Sequence, residues 1–211
     1  MEEPLLRRVC NELISEHKAH TVLLYGSRAD GSSGDDSDCD IAAFGPIGEP
    51  FRIARLEDGL YLDVWIYPET DLARDPTLEH LRLRGSKILL QRDGEATTFL
   101  DKVEGRFRCG PPRLTVNEVA ARKVWMQKML GRMTRGDPEA NYRRIELLQA
   151  LLEHYFQVRG LWFQGAKKSL RWLEQFDPQT YRAYGLALQP NASSEAVAFV
   201  VDLMADRKEE R

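Results

Sequence analysis

The chain has 211 residues, of which 43% are hydrophobic and 30% charged, and its formal net charge is −3 at pH 7. A chain of this size and composition can bury a core, which excludes an intrinsically disordered protein. No apolar run approaches the ~18 residues of a membrane-spanning helix, so we expect no membrane partner.

Charge and cysteine content exclude further classes. Residues 1–113 carry 15 Lys and Arg against 21 Asp and Glu, whereas residues 114–211 carry 15 against 12. Neither half has the basic stripe of a long nucleic-acid surface, so a nucleic-acid partner is not expected. The three cysteines, Cys10, Cys39 and Cys109, are widely spaced and odd in number. This usage is typical of reduced thiols and predicts a cytoplasmic protein with neither a disulfide framework nor a zinc site.

The first half of the chain mixes helix and strand patterns. They predict an amphipathic helix at 4–19, strands at 21–25, 38–44, 51–56 and 60–67, a helix at 77–83, a strand at 86–91 and a helix at 95–107. Glu57-Asp58-Gly59 is a hairpin signal, and residues 29–37 form a small polar loop. This order favours an α+β fold with a mixed sheet and flanking helices over a doubly wound parallel sheet.

Gly110-Pro111-Pro112 predicts a boundary between two domains, residues 1–110 and 113–211. Helical patterns dominate after it, which predicts a C-terminal all-α bundle. The predicted helices cover 115–135, 138–162, 167–176 and 193–207, and the first begins with the capping-box pattern Thr115-Val116-Asn117-Glu118.

The most informative motif joins the first two predicted strands. The first strand runs into Gly26-Ser27-Arg28, and the second carries Asp38 and Asp40. Glycine lets the backbone approach a phosphate closely, and the Ser27 hydroxyl and nearby backbone N–H groups can donate to phosphate oxygens, with Arg28 adding charge. Side chains two apart on a strand share a face, so we expect Asp38 and Asp40 to point the same way. Paired carboxylates suit Mg²⁺, which prefers oxygen ligands.

A third acid, Asp63, lies within the strand pattern Tyr61 to Tyr67. An acid among β-forming residues is costly unless it is paired or bound to a metal. If its strand lies beside that of Asp38 and Asp40, Asp63 completes a triad of acids.

These residues resemble the nucleotidyltransferase superfamily that includes DNA polymerase β and the antibiotic nucleotidyltransferases. The family pattern is a hydrophobic strand, Gly-Ser, an intervening loop, two acids one residue apart, and a later strand acid. Gly26, Ser27, Asp38, Asp40 and Asp63 match it in order, over about the first half of the chain. The resemblance implies that Asp38 and Asp40 bind two Mg²⁺ ions, and that Asp63 also serves the metal site and helps to activate an acceptor hydroxyl.

Lys167 and Lys168 follow Gly165 at a predicted helix start. Cations there oppose the helix dipole, and a bound anion would relieve that conflict. Several antibiotic nucleotidyltransferases likewise pair the catalytic domain with a helical domain that supplies a lysine to the nucleotide. We therefore expect one of these lysines to contact the triphosphate, the alternative being two solvated surface lysines.

Together these patterns predict an enzyme that moves a nucleoside monophosphate from an NTP, with ATP expected, to an acceptor hydroxyl and releases pyrophosphate. The acceptor is left open between a small molecule such as an aminoglycoside, a protein side chain, as for antitoxin-type nucleotidyltransferases, and an RNA end. The absence of a basic stripe disfavours the RNA end. The alternative is a non-catalytic NTP- or partner-binding regulatory module. A homodimer is compatible with the chain length.

Overall fold

A five-stranded mixed sheet organises the first half of the chain in the order β3-β4-β2-β1-β5. The computed structural model describes residues 2–34 and 36–205. β1 is antiparallel to β2 and β5, β2 is parallel to β4, and β3 is antiparallel to β4. The strands are β1 Thr21–Tyr25, β2 Cys39–Gly45, β3 Phe51–Glu57, β4 Leu60–Pro68 and β5 Lys87–Leu90.

The hairpin predicted between β3 and β4 is confirmed. Glu57 pairs with Leu60, so Asp58 and Gly59 form a two-residue turn. Both have positive φ, 52° and 79°, which is the conformation that Asp-Gly supplies in tight hairpins. This register fixes which β3 side chains lie near Asp63.

The two faces of the sheet bury different cores because successive side chains alternate. One face packs Val22, Ile41 and Val64 in the same cluster as Leu5, Val9 and Leu13 from α1, Glu2–His17. The opposite face packs Leu23, Ala42, Phe44 and Tyr67 with Phe99 and Val103 from α4, Glu95–Arg108. Asp40 and Asp63 alternate with the first set along β2 and β4, so both belong to the α4 face.

Several boundaries differ from the sequence prediction. β2 begins at Cys39, so Asp38 lies just before it. The helix predicted at 77–83 is a 3-10 helix, Glu79–Leu83. The predicted loop after β1 contains a short helix, α2, Ser27–Asp30, and another short helix that we did not predict, α3, covers Thr70–Ala73. Helices this short carry too little periodicity to be recognised from sequence.

Contacts divide the chain into two compact units, residues 1–109 and 110–211. The first unit is mixed α and β, and every element described in the second is helical. That they act as a catalytic and a nucleotide-binding domain stays a prediction. No helix among the described residues has the length and apolar character to span a membrane.

The second unit is built around the long helix α6, Pro138–Val158. Leu147, Leu148, Leu151 and Leu152 on this helix are buried in a single core cluster. The predicted capping box is confirmed: Thr115 Oγ1 accepts from Glu118 N, and the Glu118 carboxylate accepts from Thr115 N. The helices are α5 Val116–Met133, α6 Pro138–Val158, α7 Gly165–Phe176, α8 Pro178–Ala187 and α9 Ser194–Ala205.

Two ends in this unit also differ from prediction. α6 stops at Val158 rather than residue 162, and the predicted end of the last helix at residue 207 lies outside the described residues. α8 was missed, although Asp177 accepts from Thr180 N and Pro178 is the first helical residue. This Asp-Pro pair is a recognisable helix start.

Candidate functional site

Gly26 is packed directly against Asp40. It follows β1 with φ 71° and ψ −155°, and its carbonyl accepts from Ala29 N and Asp30 N at 3.2 Å each to begin α2. A Cβ on Gly26 would collide with Asp40 Oδ2 and lie 3.1 Å from Asp40 Cγ. Only glycine satisfies both the backbone conformation and this approach. The half-buried Ser27 follows immediately, so the Gly-Ser turn and the second acid meet at one end of the sheet.

Asp40 lies between Tyr25 on β1 and Asp63 on β4, its register partners on either side. Burial is the main cause that raises the pKa of Asp40 to about 6, and the neighbouring Asp63 and Asp38 carboxylates raise it further. The guanidinium groups of Arg82 and Arg28 oppose this shift. The carboxylates therefore repel one another, and a cation between them would relieve that repulsion.

Asp38 is exposed and directly precedes β2. Its position is fixed through the backbone, because Arg28 Nε donates to the carbonyl oxygens of Ser37 and Asp38 at 3.1 Å each, and Arg28 Nη2 donates to Ser37 at 2.7 Å. The structure thus gives Arg28, which we expected to add charge for phosphate, the task of holding the loop that carries Asp38.

Asp63 is held by an arginine that the sequence analysis missed. Arg52 Nε donates to Asp63 Oδ1 at 2.7 Å, and Arg52 Nη2 donates to Asp63 Oδ2 at 2.9 Å. The Asp63 side chain is 15% exposed and that of Arg52 47%. The hairpin signal contained this information, because pairing Glu57 with Leu60 places Arg52 opposite Trp65, diagonal to Asp63 on the same face.

A second arginine, Arg82, reaches the same face from the 3-10 helix. Its guanidinium carbon lies 4.5 Å from the centre of the Trp65 ring and 6.0 Å from that of Tyr25. It donates to the hydroxyl of Tyr67 and to Glu79 Oε1, the latter at 2.8 Å. No sequence signal identifies Arg82, because strand order and loop packing alone bring it to Asp40.

The metal site expected at these acids stays a prediction. Within residues 2–34 and 36–205, no group of three or more His, Cys, Asp or Glu side chains is arranged to hold a metal ion. Both oxygens of Asp63 accept hydrogen bonds from Arg52. Asp38 and Asp40 remain, and their carboxylate oxygens and mutual repulsion fit a hard divalent cation such as Mg²⁺.

Comparisons with known proteins leave the family unassigned. No model of a known protein family matches the chain, and no curated protein matches it. Among solved structures, the chain is similar to the crystal structure of a nucleotidyltransferase-like protein from Exiguobacterium sibiricum 255-15. The two share 12% identity, the match covers 97% of this chain and 74% of that one, and the TM-score is 0.45. A likeness at that level carries no functional weight.

The predicted lysines lie in the helical unit. Lys167 and Lys168 are exposed in the first turn of α7, which begins at Gly165 with φ 80°. The same unit buries His154, whose Nε2 donates to the carbonyl of Ala205 at 3.0 Å. Burial lowers the pKa of His154, which favours the neutral form of this core residue.

Proposed function

We propose that this protein is a metal-dependent nucleotidyltransferase that moves a nucleoside monophosphate, with AMP expected, from an NTP to an acceptor hydroxyl. The observation that carries the proposal is the seating of Gly26 against Asp40, with Asp63 in register on the neighbouring strand. A close-approach glycine, a serine and three acids at one end of a sheet can handle triphosphate and metal together.

The proposed reaction is an in-line displacement at phosphorus. The acceptor oxygen forms a bond to the α-phosphorus, the bond from that phosphorus to the bridging oxygen of pyrophosphate breaks, and the acceptor proton passes to a base. Bound Mg²⁺, two ions by the resemblance, would neutralise charge on the phosphates.

The chain's own groups supply positioning and charge. Asp38 and Asp40 would hold the metal, with Asp63 joining when released from Arg52 and accepting the proton of the acceptor hydroxyl. The Gly26-Ser27 turn would donate to phosphate oxygens. That Lys167 or Lys168 contacts the triphosphate stays a prediction. Preorganised charge of this kind accounts for much of catalysis in phosphoryl chemistry.

Thermal stability with each NTP, with and without Mg²⁺, tests the proposal. A ligand at a hundredfold excess over its dissociation constant stabilises the folded state by about 2.7 kcal/mol. We expect a Mg²⁺-dependent rise with ATP that is lost in Asp38→Asn/Asp40→Asn. The variant Asp75→Asn/Asp93→Asn removes the same charge from two exposed positions outside the site and should keep the rise. An unchanged rise in the first variant would refute the site.

A non-catalytic binding module is the second candidate, and the occupation of Asp63 by Arg52 favours it. Pyrophosphate release separates the two. Release that needs Asp63 and an acceptor hydroxyl supports the transferase, whereas Mg²⁺-dependent NTP binding without release across small-molecule and protein acceptors supports the binding module.

A further inference from the structure

Arg52 and Asp63 form a bidentate pair. Two N–H groups of one guanidinium face the two oxygens of one carboxylate, at 2.7 and 2.9 Å. Parallel hydrogen bonds of this kind are the strong, geometrically specific form of an arginine–carboxylate pair. They engage both Asp63 oxygens on the side that faces Arg52.

The guanidinium brings a positive charge to the acid cluster. Arginine stays protonated throughout the accessible pH range. Asp63 lies beside Asp40 in the register of β2 and β4, so the Arg52 guanidinium is bound to an immediate neighbour of Asp40. A divalent cation at this point would need the same oxygens and would satisfy the same electrostatic demand.

We propose that Arg52 is a built-in competitor for the metal at Asp63, so that the site alternates between an arginine-held and a metal-held form. This inference rests on the proposed function, because it supposes that Asp38 and Asp40 bind a divalent cation. In the arginine-held form Asp63 is both a poorer metal ligand and a poorer proton acceptor. Release of Arg52 completes the triad.

Two structural features make the exchange feasible. The Arg52 side chain is 47% exposed and extends from β3, an edge strand of the sheet, so its guanidinium can move into solvent without opening a core. Because Arg52 is half exposed and lies on an edge strand, its removal opens no core and should leave the fold intact.

A titration of the full chain with Mn²⁺ alone tests whether Arg52 competes with the metal for Asp63. The electron paramagnetic resonance signal of free Mn²⁺ measures the binding. Mn²⁺ takes the same oxygen ligands as Mg²⁺. We expect Arg52→Ala to bind Mn²⁺ about twofold to fivefold more tightly than the wild type, a gain typical of losing an ion pair with one exposed partner. The gain should vanish in Arg52→Ala/Asp63→Asn.

Two further variants separate occupation of Asp63 from a general change of charge. Arg55→Ala removes a charge from the same strand, but Arg55 pairs with Glu12 and Glu57, so Mn²⁺ affinity should change little. Arg52→Lys keeps the charge and loses the two-pronged contact, so it should show part of the gain.

The outcomes are distinguishable. Equal Mn²⁺ affinity in the wild type and Arg52→Ala, with binding that still requires Asp38 and Asp40, overturns this inference and leaves the proposed function standing. An equal gain in Arg55→Ala also overturns it. Absence of Mn²⁺ binding in every variant overturns both.

Discussion

Replacement of Gly26 by alanine tests the central geometry of the site. At φ 71° and ψ −155° a residue with a Cβ is strained, at a cost of about 1–3 kcal/mol. The new Cβ would also collide with the Asp40 carboxylate, and pushing that side chain off its rotamer costs about 0.5–1.5 kcal/mol. Together we expect a loss of roughly 1.5–4.5 kcal/mol.

Gly31→Ala is the matched control, because Gly31 ends the same short helix with φ 77° and has nothing within 4 Å of a built Cβ. Gly31→Ala places a Cβ on left-handed backbone without a collision, so it should lower the free energy of unfolding by about 1–2 kcal/mol. Urea unfolding in chelator gives both values. Since small domains are typically stable by about 5–15 kcal/mol, both variants should fold.

A double-mutant cycle with Asp40→Ala isolates the collision from the backbone strain. Removing the carboxylate should recover about 0.5–1.5 kcal/mol of the Gly26→Ala loss. Strict additivity, or a Gly26→Ala loss no larger than that of Gly31→Ala, would refute the claim that Gly26 is required by its contact with Asp40.

Two other predictions concern stability. Because the pKa of Asp40 is raised to about 6 in the folded protein, the wild type in chelator should lose stability relative to Asp40→Asn as pH rises from 4 to 7, by at most about 3 kcal/mol. As the pH rises, the unfolded chain releases the Asp40 proton before the folded protein does, so this loss of stability should be absent below pH 4. Urea unfolding at several pH values measures it. Parallel plots of unfolding free energy against pH for the wild type and Asp40→Asn would contradict the prediction. In the helical unit, Thr115→Ala removes the capping box and should cost about 1 kcal/mol; Thr134→Ala, outside the α5 N-terminus, is the control, and an equal loss in both would contradict the capping argument.

The local sequence predicted much of this fold because the signals are local. Runs of β-forming residues bounded by turns indicated the five strands, Asp58-Gly59 indicated the hairpin, and Thr115 with Glu118 indicated a helix start. Short helices such as α2 and α3 escaped because four residues carry no usable period. The boundary of β2 was placed one residue early, so Asp38 lies before the strand.

The sequence by itself determined which groups are available: a glycine and serine after β1, and three acids on or beside two strands. Only the tertiary structure decided that β2 and β4 are parallel neighbours, which sets Asp63 beside Asp40. It also decided that Arg82 reaches this face from the 3-10 helix, whereas the hairpin register alone places Arg52 diagonal to Asp63. Strand order depends on burial summed over the whole sheet, and the approach of Arg82 depends on that order, so neither can be obtained from neighbouring residues along the chain.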